Sequence, residues 1–246
     1  MNKWYRPFLF GSALVLCSVF FYTMHYLVFR DPHHIFIFLF GDIAFVFIEV
    51  LLVTLIIHRL LDTQAKQTML KKLNMVIGVF FSEVGTSLLQ RFSHADTRIE
   101  TIRPVLSDPE TWSGNAFGRV RNTLRGAPYT MEIDRIDLAA FRNFLGERRT
   151  FLLGLLQNPN LLEHETFTNL LQGVFHLTEE LVSRGSLDDL PPSDRKHLEG
   201  DMDRVYGLLV LQWFDYMKHL RVNYPFLFSL AVRTNPFNPQ SNAVVR

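Results

Sequence analysis

Residues 8–29 read FLFGSALVLCSVFFYTMHYLVF, and residues 35–57 read IFIFLFGDIAFVFIEVLLVTLII. Each stretch matches the about 20 apolar residues a helix needs to cross the hydrocarbon core of a bilayer. Only Arg30-Asp31-Pro32-His33-His34 separates them. A proline in so short a polar link favours a tight turn. The first part of the chain, 1–58, therefore reads as a two-helix transmembrane hairpin.

A cleaved leader is the rival reading of the first run. The run is longer than a leader's apolar region and ends without a small-x-small cleavage site. Leu14-Val15-Leu16-Cys17 has the outline of a lipoprotein box, but Leu16 stands where a small residue belongs. Both readings are rejected.

Orientation follows from basic residues near the span ends. Lys3 and Arg6 precede the first span; Arg59, Lys66, Lys71 and Lys72 follow the second; the link offers Arg30 beside Asp31. This places both termini in the cytoplasm, with the hairpin tip outside a cell (inner) membrane. Trp4 and Tyr5 at one end, and Tyr22 and Tyr26 at the other, fit aromatic belts.

Beyond the hairpin, the chain is less apolar and reads as helical. The membrane-proximal segment 59–92 carries no Gly or Pro between Arg59 and Val76. Asn74, Gly78, Ser82 and Gly85 share one face there, and small residues at that spacing let another helix approach closely. The face suits packing within the chain or a homo-oligomer seam. Segment 93–135 is irregular and basic, with Arg98, Arg103, Arg119, Arg121, Arg125 and Arg135 among prolines and glycines that include Gly114. It suits either a solvated face balanced by acids or contact with anionic lipid.

Three helices follow in 136–234. Ile136 to Gln157 has a cap at Asp134; Leu161 to Arg184 starts after Asn160 with Glu163 as a capping-box partner; Asp194 to Val222 runs into Pro225. Phe226 to Val232 needs cover from protein or lipid, and 235–246 reads as a flexible tail. The fold class is thus an all-α membrane protein, with a transmembrane hairpin and a cytoplasmic helical bundle.

The segments Lys72-Leu73-Asn74-Met75-Val76-Ile77-Gly78-Val79-Phe80-Phe81-Ser82-Glu83-Val84-Gly85 and Tyr224-Pro225-Phe226-Leu227-Phe228-Ser229-Leu230-Ala231-Val232-Arg233-Thr234-Asn235-Pro236-Phe237 carry a resemblance. With the hairpin, the chain resembles uncharacterised bacterial two-span membrane proteins. The resemblance implies class and location, and no activity, cofactor or catalytic residue.

Composition narrows the function classes. A net charge of +1 on 246 residues gives no general attraction for nucleic acid. The single cysteine, Cys17, rules out an intramolecular disulfide framework or a cysteine zinc site. There is no Walker sequence, no Gly-x-Ser-x-Gly and no His-Glu-x-x-His. Ser93-His94-Ala95-Asp96 has the outline of a phospho-acceptor helix, but no nucleotide-binding domain follows it.

Three sets of residues carry candidate chemistry. Asp42 and Glu49 lie inside the second span, seven positions apart on nearly one face, where ionisable groups are expensive unless paired, protonated or facing water. They suit a proton or cation path, or a pair of neutral acids bonding neighbouring helices. His25, His33 and His34, with Asp31, cluster at the external end as metal-ligand candidates or as polar anchors. Within the bundle, Glu83, His176 with Glu179, and Asp215 with His219 do not form a di-metal carboxylate pattern. The leading expectation is a non-enzymatic module held on the bilayer, binding a cytoplasmic protein partner or assembling with itself, without a cofactor. The alternatives are an oligomeric proton or cation transporter and a membrane-bound metal-binding protein.

Overall fold

Arg30 turns the chain. In the computed structural model, which describes residues 5–112, 116–162 and 164–244, helix α1 (Tyr5–Phe29) gives way to α2 (Pro32–Phe80) after two residues. Arg30 adopts φ 47°, and its N–H donates to the carbonyl of Tyr26 at 2.9 Å, closing α1. Asp31 then caps α2: its Oδ1 accepts from the N–H of His34 at 3.2 Å, and Pro32 opens the helix where no N–H is needed. The link is shorter than its five polar residues suggest, because His33 and His34 are already helical.

The chain divides into two units, 1–67 and 68–246. In the first, no described side chain between 8 and 64 is buried. Phe8–Phe29 and Pro32–Gln64 are both long and apolar enough to cross a membrane. A helix that is apolar all round without a protein core suits a lipid environment. Lys3 and Trp4 lie outside the described residues, as do the side chains of Tyr5, Arg6, Lys66 and Lys71.

The second unit is built from the end of α2, a π-helical turn at Phe81–Gly85, then α3 (Thr86–Ala95), α4 (Arg103–Leu106), α5 (Ala116–Arg125), α6 (Leu138–Glu147), α7 (Arg149–Leu156), α8 (Pro159–Leu162), α9 (Glu165–Ser183), α10 (Pro192–Asn223) and α11 (Pro225–Arg233). There is no β-strand among the described residues, only one isolated antiparallel bridge between Asp96 and Met131. The fold is all-α: long apolar N-terminal helices followed by a helical domain.

Helices α9 and α10 form its centre. On α9, Phe167, Leu170, Leu171, Val174, Leu177 and Leu181 recur at three- and four-residue steps and are all buried. On α10, Met202, Leu209 and Met217 lie on the answering face, fully buried. Each such side chain contributes about 1.5–3 kcal/mol relative to exposure. Phe92 of α3 links α6 to α10, edge-on to Phe141 and to Tyr206 with centroids 5.7 Å from each.

Lys72–Ala95 is also long and apolar enough to be a span. Its apolar face, however, is spent within the domain, since Leu73, Ile77, Phe80, Val84, Leu88 and Phe92 are buried. Gly85 serves the π turn there: a Cβ would stand 2.6 Å from the Phe81 ring and 2.9 Å from the Phe80 ring.

Several boundaries differ from the sequence reading. The helix expected over 136–157 is two helices broken at Arg148, whose backbone leaves helical geometry at φ −97°, ψ 1°. Its N-cap is Asp137, which accepts from the Ala140 N–H at 2.9 Å, and not Asp134, which pairs with Arg195. Helix α9 begins at Glu165, with His164 Nδ1 accepting from the Phe167 N–H at 3.2 Å. The Glu163 of the expected capping box, like Gly114, lies outside the described residues, as does the Asn160 side chain.

The tail is corrected too. Asn235 and Phe237 are fully buried. Asn235 Nδ2 donates to the Leu106 carbonyl at 2.8 Å, its Oδ1 accepts from the Phe237 N–H at 2.9 Å, and Phe237 packs on Trp213. A single aromatic at the right distance from α11 ties down a stretch that is otherwise polar.

Candidate functional site

The hairpin brings Ser18, Phe21, Tyr22 and His25 of α1 opposite Ile35, Phe38 and Asp42 of α2, around a cavity of about 360 Å³. Asp42 therefore has polar neighbours across the helix pair. His25 Nδ1 is buried without a hydrogen-bond partner, and its ring lies 4.7 Å from that of Phe29. Glu49 does not line this cavity. It is exposed near the middle of Pro32–Gln64, with no hydrogen bond or ion pair among the described residues.

His33 and His34 are exposed in the first turn of α2, and neither belongs to a group of converging metal-ligand atoms among the described residues. The ring of His34 instead meets Phe38 edge-on at 4.9 Å.

Asn74, Gly78 and Ser82 line an open groove of about 590 Å³ with Met75, Val79, Tyr216 and Leu230. Gly78 is filled from inside the domain: a Cβ there would lie 3.0 Å from the Tyr216 Oη. Gly85 is buried below, outside the groove's lining. The small face thus packs Tyr216 at Gly78, while Ser82 and Met75 stay exposed. Helix α11 borders the groove through Leu227 and Leu230 and buries none of its residues fully.

Among the described residues, three of the six arginines of 93–135 pair with acids. Arg103 bonds Glu100 at 2.7 Å, Arg135 pairs with Glu132 at 2.5 Å, and Arg121 holds Asp215 at 3.0 Å. Glu179 takes Arg149 at 2.6 Å and is drawn below the usual carboxylate range by it. Of the acids weighed for a di-metal pattern, Glu179 and Asp215 are therefore committed to arginines.

Another set converges where α9 and α10 face each other. His176 and Glu180 are one turn apart on α9; His197 and Asp201 are one turn apart on α10. Ligand atoms of His176, Glu180 and His197 all lie within 4.8 Å of one another. Asp201 Oδ2 is not part of that group but lies beside it, 3.4 Å from the Nε2 of each histidine. Glu180 stands 3.8 Å from His176 Nε2 and 3.7 Å from His197 Nε2.

Arginines orient both carboxylates. Arg184 holds Glu180 Oε2 at 2.7 Å and is itself gripped by Asp194 through two bonds of 2.6 and 2.9 Å. That guanidinium draws Glu180 and Asp194 below the usual carboxylate range. Arg204 meets Asp201 Oδ1 at 3.2 Å, leaving Oδ2 turned toward the histidines. The Asp201 side chain is only 4% exposed, yet its Oδ2 makes no hydrogen bond. Sequence reasoning coupled His176 with Glu179 and missed this set. The signal was present as His-x-x-x-Glu and His-x-x-x-Asp, both at one-turn spacing, on either side of the turn at 184–191.

Residues 69–233 match the family described as "Uncharacterized protein MJ1433, C-terminal helical domain", and residues 2–61 match "MJ1433, N-terminal helical domain". The chain is 42% identical over 241 residues to "Uncharacterized protein MJ1433" of Methanocaldococcus jannaschii, covering 98% of this chain and 97% of that one. No solved structure matches. The bacterial kinship expected from the sequence is corrected, because this relative is archaeal, and the family descriptions specify helical domains without mention of a membrane. With both of its parts matched and a relative aligned across almost its full length, the chain belongs to the MJ1433 family.

Proposed function

We propose that the protein is an integral membrane protein whose hairpin assembles with copies of itself and holds the helical domain at the cytoplasmic face. The observation that carries this reading is Glu49, exposed and without a hydrogen bond or ion pair among the described residues, near the middle of a stretch of α2 that is apolar enough to span a bilayer. A carboxyl group at the bilayer centre costs on the order of 3 kcal/mol or more unless another helix or water takes it up. A neighbouring hairpin supplies that partner, and a closed symmetric assembly supplies it to every copy.

The groove on the helical domain supports the same reading. It presents an apolar hollow beside Phe226, which is 71% exposed, on α11. A surface holding both a hollow and a protruding aromatic is suited to an isologous contact with a second copy. The module recruits or organises through assembly. Alkaline carbonate extraction and single-cysteine labelling test the placement. The reading requires that the protein stay with the membrane and that His33→Cys, in a Cys17→Ser background, be labelled from outside. Release by carbonate would end it.

A second reading has its own observation: Ser18, Tyr22, His25 and Asp42 line one cavity within the hairpin. Such a set can pass a proton between helices in an oligomer. Proton or cation flux through liposomes, lost in Asp42→Asn, would favour it over simple anchoring.

A further inference from the structure

We infer that His176, Glu180, His197 and Asp201 form a binding site for one divalent transition-metal ion of the zinc class, stapling α9 to α10. The inference does not depend on the membrane reading.

Four ligands about 2.0–2.1 Å from a tetrahedral zinc ion are separated from one another by about 3.4 Å. Asp201 Oδ2 stands at 3.4 Å from both imidazole Nε2 atoms, and Glu180 oxygens at 3.7 and 3.8 Å. Asp201 Oδ2 is spaced from both imidazoles as ligands of one cation are, and Glu180, whose Oε1 faces His176 and whose Oε2 faces His197, completes the shell by turning one oxygen inward.

The second observation is Asp201 itself. A buried carboxylate oxygen without a hydrogen bond is costly, and native structures rarely leave one so. Here Oδ2 is buried and lacks a hydrogen bond although two imidazoles flank it. Neither ring is aligned to donate to it, so the arrangement suits lone pairs gathered around a cation better than a donor meeting an acceptor. The remaining oxygen of Asp201 is held by Arg204, and an oxygen of Glu180 by Arg184, which is in turn fixed by Asp194. Such outer partners set the orientation of metal-binding carboxylates.

Donor chemistry selects the class of metal. Two imidazoles and two carboxylates favour zinc and its first-row neighbours over magnesium or calcium, which take oxygen shells. Four protein donors from two helices describe a closed, structural site. The exposure of His176 and His197, 50% and 52%, gives the ion an entry path from solvent. Binding would lock the helices around the turn at 184–191, and a ligand that binds only the folded state raises stability.

The test uses the full-length protein in detergent, purified without an affinity histidine tag, stripped with chelator and titrated with Zn2+ and with Co2+. The expected result is one equivalent bound per chain, a raised melting temperature and the intense visible bands of tetrahedral Co2+. Asp201→Asn is close to isosteric, and His197→Gln changes an exposed side chain, so both should fold by circular dichroism. Each is expected to weaken binding by more than about 100-fold, beyond the usual loss from an outer-shell change. Arg204→Gln is expected to weaken it by about 10-fold. Absence of a bound equivalent in wild type would overturn the inference. So would binding unchanged in Asp201→Asn, which would place the metal on other histidines.

Discussion

Asp201 Oδ2 on α10 lies 3.4 Å from His176 Nε2 on α9, and the same oxygen lies 3.4 Å from His197 Nε2. One buried carboxylate oxygen therefore joins two helices that are separated in sequence by the turn at 184–191. Around it, arginines and acids form a continuous charged network from Asp194 to Arg204. Its physical consequences can be measured without metal.

Arg184 anchors that network. It draws Glu180 and Asp194 below the usual carboxylate range, so both remain charged in the folded protein at pH values where they are partly protonated in the unfolded chain. The stability they contribute is present above the usual carboxylate range and is lost as pH falls through their depressed values. In chelator, Arg184→Met is expected to lower stability at pH 7 by about 1 kcal/mol. The difference between variant and wild type should shrink as pH falls below about 4. Thermal melts at several pH values check this, and a difference that grew toward acid pH would refute it.

Asp96 has the opposite sign. It is almost fully buried, and burial pushes its carboxyl above the usual range, although the Arg98 and Thr130 N–H groups donate to its Oδ1 at 2.9 and 3.3 Å. A raised carboxyl favours the folded state below its unfolded value, and that advantage is lost as pH rises through the folded value. Asp96→Asn keeps an acceptor oxygen for both N–H groups and removes the buried charge. It is expected to raise the melting temperature at pH 7 and to have little effect near pH 3. Equal effects at both pH values would show that the charge is not what matters.

Gly78 and Ser82 share a groove but not a role. A Cβ at Gly78 meets the Tyr216 Oη at 3.0 Å, whereas Ser82 is exposed. Gly78→Leu overfills that contact and is expected to destabilise the domain by about 1–3 kcal/mol. Ser82→Leu should change stability by no more than about 0.5 kcal/mol, which makes it the usable probe of self-association through this surface. Urea unfolding of each variant measures both values.

Phe92 couples α3 to the rest of the core through its contacts with Phe141 and Tyr206. Phe92→Ala is expected to cost about 3–5 kcal/mol. Melting followed by near- and far-ultraviolet circular dichroism should show the tertiary and helical signals of the domain falling together. A loss under about 1 kcal/mol would mean that the site relaxes without strain.

Much of the architecture was legible because periodicity is a strong signal where helices are long. The apolar runs at 8–29 and 35–57, and the patterned stretch now seen as α10, announce themselves. Local breaks were harder. Arg148 separates α6 from α7 without a proline, its N–H reaching back to the carbonyl of Gly146 inside α6, and the π turn at Phe81–Gly85 has no turn-forming sequence apart from its glycine. Capping was misread by three residues at Asp134, because Asp134 and Asp137 are equally suited by type and only the fold decides between them.

The candidate site was legible in fragments. Asp42 could be singled out because charge is rare inside an apolar run, but its meeting with His25, Tyr22 and Ser18 depends on the register set by Arg30 and Asp31. The His176 set was missed because each half is an ordinary one-turn pair, and pairing across α9 and α10 is a tertiary fact. Phe237 was missed for the same reason: nothing local marks an aromatic in a polar tail as a core residue.

Native mass measurement in lipid nanodiscs, comparing wild type with Glu49→Leu, tests self-assembly through the hairpin most directly. Wild type is expected to be an oligomer and Glu49→Leu to shift toward monomer, with dissociation about 10-fold easier, since a polar bond between helices in a membrane contributes about 1–2 kcal/mol. A wild-type protein that is monomeric at every lipid-to-protein ratio, or an oligomer indifferent to Glu49→Leu, would contradict it.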